Sequence, residues 1–265
     1  MRIGHSGYFV TEACEYTNSF LSFFPRISII LNIEEDHMDF FKDIDDIRRS
    51  FRRFAELLPE DGCLIINKDI DHVEQLVEGL RCKVTTFGAD ADADYSYADA
   101  VYDALGRASY TLVRHGQPCG TVRLGVVGEH NILNSLSVIA LMELLRFDSD
   151  TVRGALSAFS GTDRRFEFKG EVAGVKILDD YAHHPTEITA TLKAAANYPH
   201  NTLWCVFQPH TYTRTRAFLK DFAKALSLAD KVVLTDIYAA REKNTIGISS
   251  ADLLQELEKT GTECY

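Results

Sequence analysis

Apolar positions along the chain alternate between two registers, and their order is the first clue to the fold. The β-branched run Ile27-Ser28-Ile29-Ile30-Leu31-Asn32-Ile33 has the makeup of a strand buried on both faces of a parallel sheet. Such a strand should end in a functional loop. Ile44, Ile47, Phe51, Phe54 and Leu58 then recur at spacings of three and four. With Asp43 placed to cap and Pro59 to stop, they predict an amphipathic helix covering the sheet. Residues 63–67 and 84–87 read as further strands, and residues 8–10 as a short apolar strand upstream. Strands and helices alternate as in a doubly wound α/β fold.

Between Tyr95 and Val127 the pattern shortens to alternating runs over 108–113 and 121–126, separated by His115-Gly116-Gln117, which predicts an antiparallel hairpin. Helical spacing resumes over 131–145 and 150–159, and Ser160-Gly161-Thr162-Asp163 interrupts it. We place a boundary there, dividing the chain into 1–160 and 161–265. Beyond it, strands over 175–178, 203–208 and 231–238, with helices over 185–196 and 215–226, predict a second βαβ layer of ordinary domain size.

Composition narrows the function classes. Hydrophobic residues make up 46% and charged residues 25% of the 265 positions, as in globular proteins. A net charge of -11 argues against a nucleic-acid surface, which needs Lys and Arg in excess, so a small-molecule substrate fits better. The apolar runs are far shorter than the roughly 20 residues that span a bilayer. Met1-Arg2-Ile3-Gly4-His5 has no apolar h-region, so a cytoplasmic protein with no membrane partner is expected. The six cysteines are scattered, with no C-x-x-C pair, and indicate neither a zinc site nor a disulfide framework.

Candidate chemistry sits at the strand ends, where open α/β sheets bind ligands. Glu34-Glu35-Asp36-His37-Met38-Asp39 follows the first strand with acids and an imidazole suited to a divalent cation, and Glu12 could meet His37 over the same sheet edge. A solvated capping loop would explain this run equally well. Gly128-Glu129-His130-Asn131-Ile132-Leu133-Asn134 opens a helix, where Asn131 serves as cap or first-turn donor and Asn134 lies one turn on. Asp179-Asp180-Tyr181-Ala182-His183-His184-Pro185 groups two acids, a phenol and two imidazoles, which packing rarely explains; adjacent histidines lack the i, i+4 spacing of a zinc hydrolase. His210, Arg214 and Arg216 near a helix start favour anionic groups, and Asp236-Ile237-Tyr238-Ala239-Ala240-Arg241-Glu242 repeats the pattern. Three polar strand ends in one sheet imply one cleft.

Taken together, E-A-C-E-Y, L-N-I-E-x-D-H-M-D, G-x-H-N-x-x-N, R-R-F-E, D-D-Y-A-H-H-P-T-E-I, F-Q-P-H-T-Y-T-R-T and D-I-Y-A-A-R-E-x-x-x-x-G-I-S-S resemble the Mur ligases over the whole chain. The resemblance implies an ATPase-type central domain, incomplete here, followed by a Rossmann-like carboxy-terminal domain. It implies ATP and magnesium as cofactors, with UDP-N-acetylmuramate and L-alanine as substrates. An acyl phosphate made from ATP is then displaced by the amino group, and catalysis is mainly positioning and charge neutralisation. By this resemblance Glu12 and His37 would hold magnesium. His130, Asn131 and Asn134 would lie by the adenine, Arg165 would face the phosphates, and Asp180 and Tyr181 would contact the nucleotide. His183, His210 and Arg214 would line the amino-acid pocket.

The family pattern also contains a G-T-H-G-K-T-T loop and an amino-terminal UDP-sugar domain. Here no Gly precedes a Lys-Ser or Lys-Thr pair, and the carboxyl end looks short of a final strand and helix. The expectation is a fragment, inactive alone, with a sheet edge available for self-association. A related ligase that adds a tripeptide in wall recycling, and a non-catalytic remnant that binds a small molecule or partner, are the alternatives.

Overall fold

The computed structural model describes residues 4–265. Strands β1 (Ile27–Ile30), β2 (Cys63–Asn67) and β3 (Lys83–Phe87) run parallel. β3 meets β4 (Tyr95–Tyr102) in a parallel pair at Phe87 and Tyr95, and β5 (Arg107–Arg114) and β6 (Gln117–Val127) continue antiparallel. The result is one six-stranded sheet in sequential order, with β1 at its edge.

Every residue of β2 is buried, as its unbroken apolar run requires. Its alternate side chains feed two cores. Leu64 and Ile66 join Phe20, Ile47 and Phe54 beneath α1 (Ile44–Glu56), whereas Cys63 and Ile65 join Tyr110, Ile132 and Leu136 beneath α3 (His130–Leu144). Asp43 caps α1 by accepting the Asp46 amide at 2.8 Å. The hairpin between β5 and β6 turns at His115 and Gly116, both at positive φ (46° and 73°), which matches the twist of the flanking strands.

In the carboxy-terminal part, β9 (Trp204–Phe207), β10 (Lys231–Leu234) and β11 (Glu263–Cys264) form a parallel sheet. One face packs on Ile188 of α5 (Pro185–Ala196), Phe222 and Leu226 of α7 (Leu219–Leu226) and Leu253 of α8 (Ser250–Glu258). The other leaves Trp204 and Val206 exposed.

Several expectations are corrected. Residues 8–10 form no strand: no described strand pairs with them, and Phe9 and Val10 stand 88% and 86% exposed. The strand expected over 175–178 is β8 (Val175–Asp179), but it pairs antiparallel with an unforeseen β7 (Glu167–Val172) through a tight turn at Ala173-Gly174, outside the three-stranded sheet. The helix expected over 215–226 starts earlier, as α6 (Tyr212–Ala217), and breaks at Phe218, whose backbone (φ −109°, ψ 25°) leaves the helical well. α4 (Ser149–Ala158) ends the first part near its expected place, and a short unforeseen α2 (Val73–Val77) precedes β3.

Candidate functional site

The loop leaving β1 is anchored at both ends by apolar side chains and carries its polar groups outward between them. Ile33 and Phe41 sink into the first core, and the Phe40 and Phe41 amides both donate to the His37 carbonyl, at 2.8 and 2.9 Å. His37 itself sits at φ 54°, an uncommon conformation for a side-chain-bearing residue. Its Nε2 lies 3.4 Å from Glu15 Oε1, and its ring stacks 4.5 Å from that of Tyr16, whose hydroxyl donates to Asp39 Oδ2 at 2.7 Å. The hydrogen bond to Glu15 raises the His37 pKa above its ordinary value against the effect of burial, with the Asp36 charge assisting. The same bond lowers Glu15.

The partner of His37 is therefore Glu15 and not Glu12. Glu12 is exposed; its carbonyl accepts from the Thr11 hydroxyl at 3.2 Å, and its carboxylate makes no ion pair or hydrogen bond among the described residues. The cause is local. Phe20 is buried and stacks on Phe54 at 4.6 Å, and its amide donates to the Cys14 carbonyl, so the 3-10 turn over Tyr16–Ser22 folds residue 15 back onto the loop. Residues 8–12 stay outside that turn. Among the described residues no group of three or more His, Cys, Asp or Glu side chains is arranged to hold a metal ion.

At the start of α3, Asn131 does not cap. Its Nδ2 donates back to the Val127 carbonyl at 2.7 Å and lies 3.1 Å from His130 Nε2, while its Oδ1 accepts from Asn134 Nδ2 at 3.1 Å. Asn134 Oδ1 is left open to the cleft. Gly128 permits this packing: at φ 95°, a Cβ built there would lie 2.5 Å from the His130 ring. Burial lowers the His130 pKa, with the Asp180 charge opposing that shift and the Arg165 charge adding to it.

The residues of the 179–187 segment are bound more tightly into the protein than their resemblance-based roles imply. Both Asp180 oxygens accept backbone amides, Phe166 at 2.7 Å and Ala182 at 2.8 Å, so this carboxylate braces the chain after β8. Tyr181 is half-exposed beneath Arg164, whose guanidinium carbon lies 4.6 Å from the ring centre, with that of Arg165 at 5.8 Å. His183 Nδ1 is 2.9 Å from the Tyr181 carbonyl, and its ring is 5.8 Å from that of His210. His184, for which the sequence suggested no separate role, caps α5 and reaches the other half of the chain. Its Nδ1 accepts the Thr186 amide at 3.4 Å, and its Nε2 faces the Glu35 carbonyl at 3.1 Å.

The strongest link between the halves is a fork. Arg214 Nε and Nη2 meet Asp36 Oδ1 at 3.1 and 2.7 Å, Nη2 meets Oδ2 at 3.0 Å, and Nη1 lies 3.2 Å from His210 Nδ1. Burial works to raise the Asp36 pKa, but the Arg214 charge and hydrogen bonds, aided by the His37 amide at 2.7 Å, win and lower it. Burial, then the Arg214 and His183 charges, lower His210.

A cavity of about 2440 Å³ runs along the open edge of β1, between Ile29 and Leu31 on one wall and Val138 and Leu141 of α3 on the other. Glu12, His130, Asn131, Asn134, Arg165 and Asp180 also line it, whereas His37, Tyr181, His183, His210 and Arg214 lie outside its lining. The site residues expected from the sequence thus fall into two neighbouring groups, joined where Asp36 meets Arg214.

One α/β unit is thus tied through its strand-end loop to a second parallel α/β unit, beside a cleft with apolar walls. The Mur ligase middle domain matches residues 1–142 and the Mur ligase glutamate ligase domain matches residues 164–265, and the chain belongs to the Mur ligase family. It is 58% identical over 264 residues to the UDP-N-acetylmuramate--L-alanine ligase of Lachnospira eligens, covering 99% of this chain and 58% of that protein. It is 55% identical to the ligase of the same name from Agathobacter rectalis, covering 100% of this chain and 58% of that one. The chain therefore spans less than two thirds of these relatives. Among solved structures, the UDP-N-acetylmuramate-alanine ligase of Thermotoga maritima superposes with a TM-score of 0.72 at 28% identity, covering 94% of this chain and 52% of the other.

Proposed function

We propose that this chain forms the metal-side and amino-acid-side parts of an ATP-dependent ligase that joins L-alanine to UDP-N-acetylmuramate in cell-wall precursor synthesis. Residues 1–160 serve ATP and magnesium, and 161–265 the amino acid together with part of the nucleotide. The observation that carries the reading is the Asp36–Arg214 fork, which sets the Glu15–His37 pair beside His210 and Arg214. High identity to two L-alanine ligases along nearly the whole chain supports the substrate choice.

The residues present fit the implied groups. Glu15 and His37 offer a carboxylate oxygen and an imidazole nitrogen free of any Lys or Arg ion pair, a donor set open to a divalent cation although less oxygen-rich than magnesium usually takes. When bound, magnesium would neutralise phosphate oxygens and ATP would supply the activating phosphoryl group. Asn134 Oδ1 and the His130 edge would accept and orient a base, and Arg165, half-exposed beside the cleft, would face phosphates. Arg214 and His210 would fix the carboxylate of the incoming amino acid so that its amino group is aligned, the kind of positioning that lowers barriers by roughly 7–11 kcal/mol.

No helix among the described residues is long and apolar enough to cross a membrane. The unpaired edge of β1 would serve for pairing with another strand, of this protein or of a second copy.

The test is phosphate release from ATP with UDP-N-acetylmuramate, L-alanine and magnesium. It uses this chain alone and a chimera in which this chain replaces the matching part of the Lachnospira eligens ligase. The chimera should turn over and Arg214→Ala in it should raise the alanine KM strongly, while this chain alone, with no Gly-Lys-Thr or Gly-Lys-Ser string, should not turn over. Activity of this chain alone, above a His37→Ala background, would refute the division of labour.

A further inference from the structure

The Arg214 guanidinium is engaged on all three nitrogens by protein groups. Nε and Nη2 hold Asp36 in a two-point fork, and Nη1 faces His210 Nδ1 at 3.2 Å. Its side chain is 9% exposed, against 27% for Asp36. Planar two-point pairing of this kind is how guanidinium recognises a carboxylate, whether the carboxylate belongs to the protein or to a ligand. Asp36 comes from the other half of the chain and directly precedes His37, so the residue that fills the fork also tethers the loop of the candidate metal pair.

We propose that Asp36 is a resident carboxylate on Arg214 that the carboxylate of the amino-acid substrate displaces, so that amino-acid binding releases the 34–39 loop from the carboxy-terminal half. This rests on the reading of Arg214 as part of the amino-acid pocket.

Exchange is the arrangement the geometry permits. A buried guanidinium stripped of its partner is strongly unfavourable, so Asp36 leaves only when another carboxylate takes its place. Two carboxylates on the same edge repel, so they do not share it. Asp36, at the more exposed end of the pair, has solvent to turn to, and in turning it leaves the His37 amide. Among the described residues the remaining polar ties of the loop to that half are two, both on His184: Nε2 lies 3.1 Å from the Glu35 carbonyl and Nδ1 lies 3.6 Å from Glu34 Oε2. The apparent affinity for an amino acid is then its intrinsic affinity reduced to the fraction of molecules whose fork is free.

The experiment compares this chain with its Asp36→Asn and Arg214→Ala variants by calorimetry, titrating L-alanine and, as a probe without a carboxylate, L-alaninamide. Asp36→Asn keeps the shape and removes the competing charge. It should bind alanine at least about tenfold tighter, the size of one charge-assisted hydrogen bond, with no gain for alaninamide, and Arg214→Ala should bind no alanine. Hydrogen exchange in the unaltered chain gives a second readout: saturating alanine should speed exchange of the His37 amide, which donates to Asp36, and alaninamide should not.

Equal or weaker alanine binding by Asp36→Asn, with Arg214→Ala still blocking it, overturns the displacement and leaves the pocket standing. Alanine binding unaffected by Arg214→Ala overturns the pocket reading itself. If Asp36→Asn does not fold, an unchanged His37 amide under saturating alanine overturns the displacement, as does the lack of alanine binding by all three proteins.

Discussion

Replacing Gly128 with alanine should disturb His130 and Asn131 at the start of α3 through one added methyl group. Gly128 has φ 95°, where an L side chain is strained, and its Cβ would stand 2.5 Å from His130 Cε1 and 2.8 Å from Nδ1. The ring must leave, and with it goes the 3.1 Å contact to Asn131. Backbone strain of about 1–3 kcal/mol and a lost hydrogen bond of about 0.5–1.5 kcal/mol together suggest a loss of about 2–4 kcal/mol in urea unfolding. The pH dependence gives a sharper readout. Burial depresses the His130 pKa in the folded state, so between that value and the ordinary 6.5 the unfolded chain binds more protons. The His130 contribution is therefore fully favourable above pH 6.5 and is lost as the pH falls from 6.5 through the folded pKa. Burial-depressed His210 adds a slope of the same sign, so the quantity to compare is the difference between Gly128→Ala and the unaltered chain. NMR titration should show the His130 pKa rising toward its ordinary value in the variant. A variant with unaltered stability and an unaltered His130 titration would refute the packing assigned to this turn.

Other outcomes follow from single contacts. Glu15→Gln should weaken manganese binding, read by electron paramagnetic resonance as a magnesium surrogate, and Glu12→Gln should leave it unchanged. Cys14 is exposed and should react first with a thiol reagent, whereas Cys205, whose pKa burial pushes up to about 11, should label only on unfolding; mass spectrometry of labelled peptides reads the order. Asp43→Ala removes the α1 cap on the Asp46 amide and should cost about 0.5–2 kcal/mol in the same urea titration.

Where local chemistry decides structure, the sequence was legible. The buried run of β2, the cap and apolar stripe of α1 and the His115-Gly116 turn all follow from patterns of a few residues. What escaped was decided at long range. Residues 175–179 look like a strand of the carboxy-terminal sheet, but pairing with the neighbouring β7 took that edge. Phe218 has no helix-breaking character, and the division between α6 and α7 arises as its ring packs 4.9 Å from His184. The site shows the same division. The strings that hold His130, His183, His210 and Arg214 stood out by composition, whereas choosing Glu15 over Glu12 required knowing that Phe20 would fold the chain back onto the loop. Pairing across 178 residues, as between Asp36 and Arg214, leaves no periodic trace in the sequence. The acidic run alone fitted a solvated loop equally well.

The most direct test of the account is product formation by the chimera with the Lachnospira eligens ligase. It is supplied with ATP, magnesium and UDP-N-acetylmuramate and offered equal amounts of L-alanine and the recycling tripeptide. Mass spectrometry should find the alanine adduct of UDP-N-acetylmuramate formed in step with phosphate, and the adduct should be lost when Arg214 is replaced by alanine. Phosphate release without that adduct, or incorporation of the tripeptide in place of alanine, would contradict the proposed function.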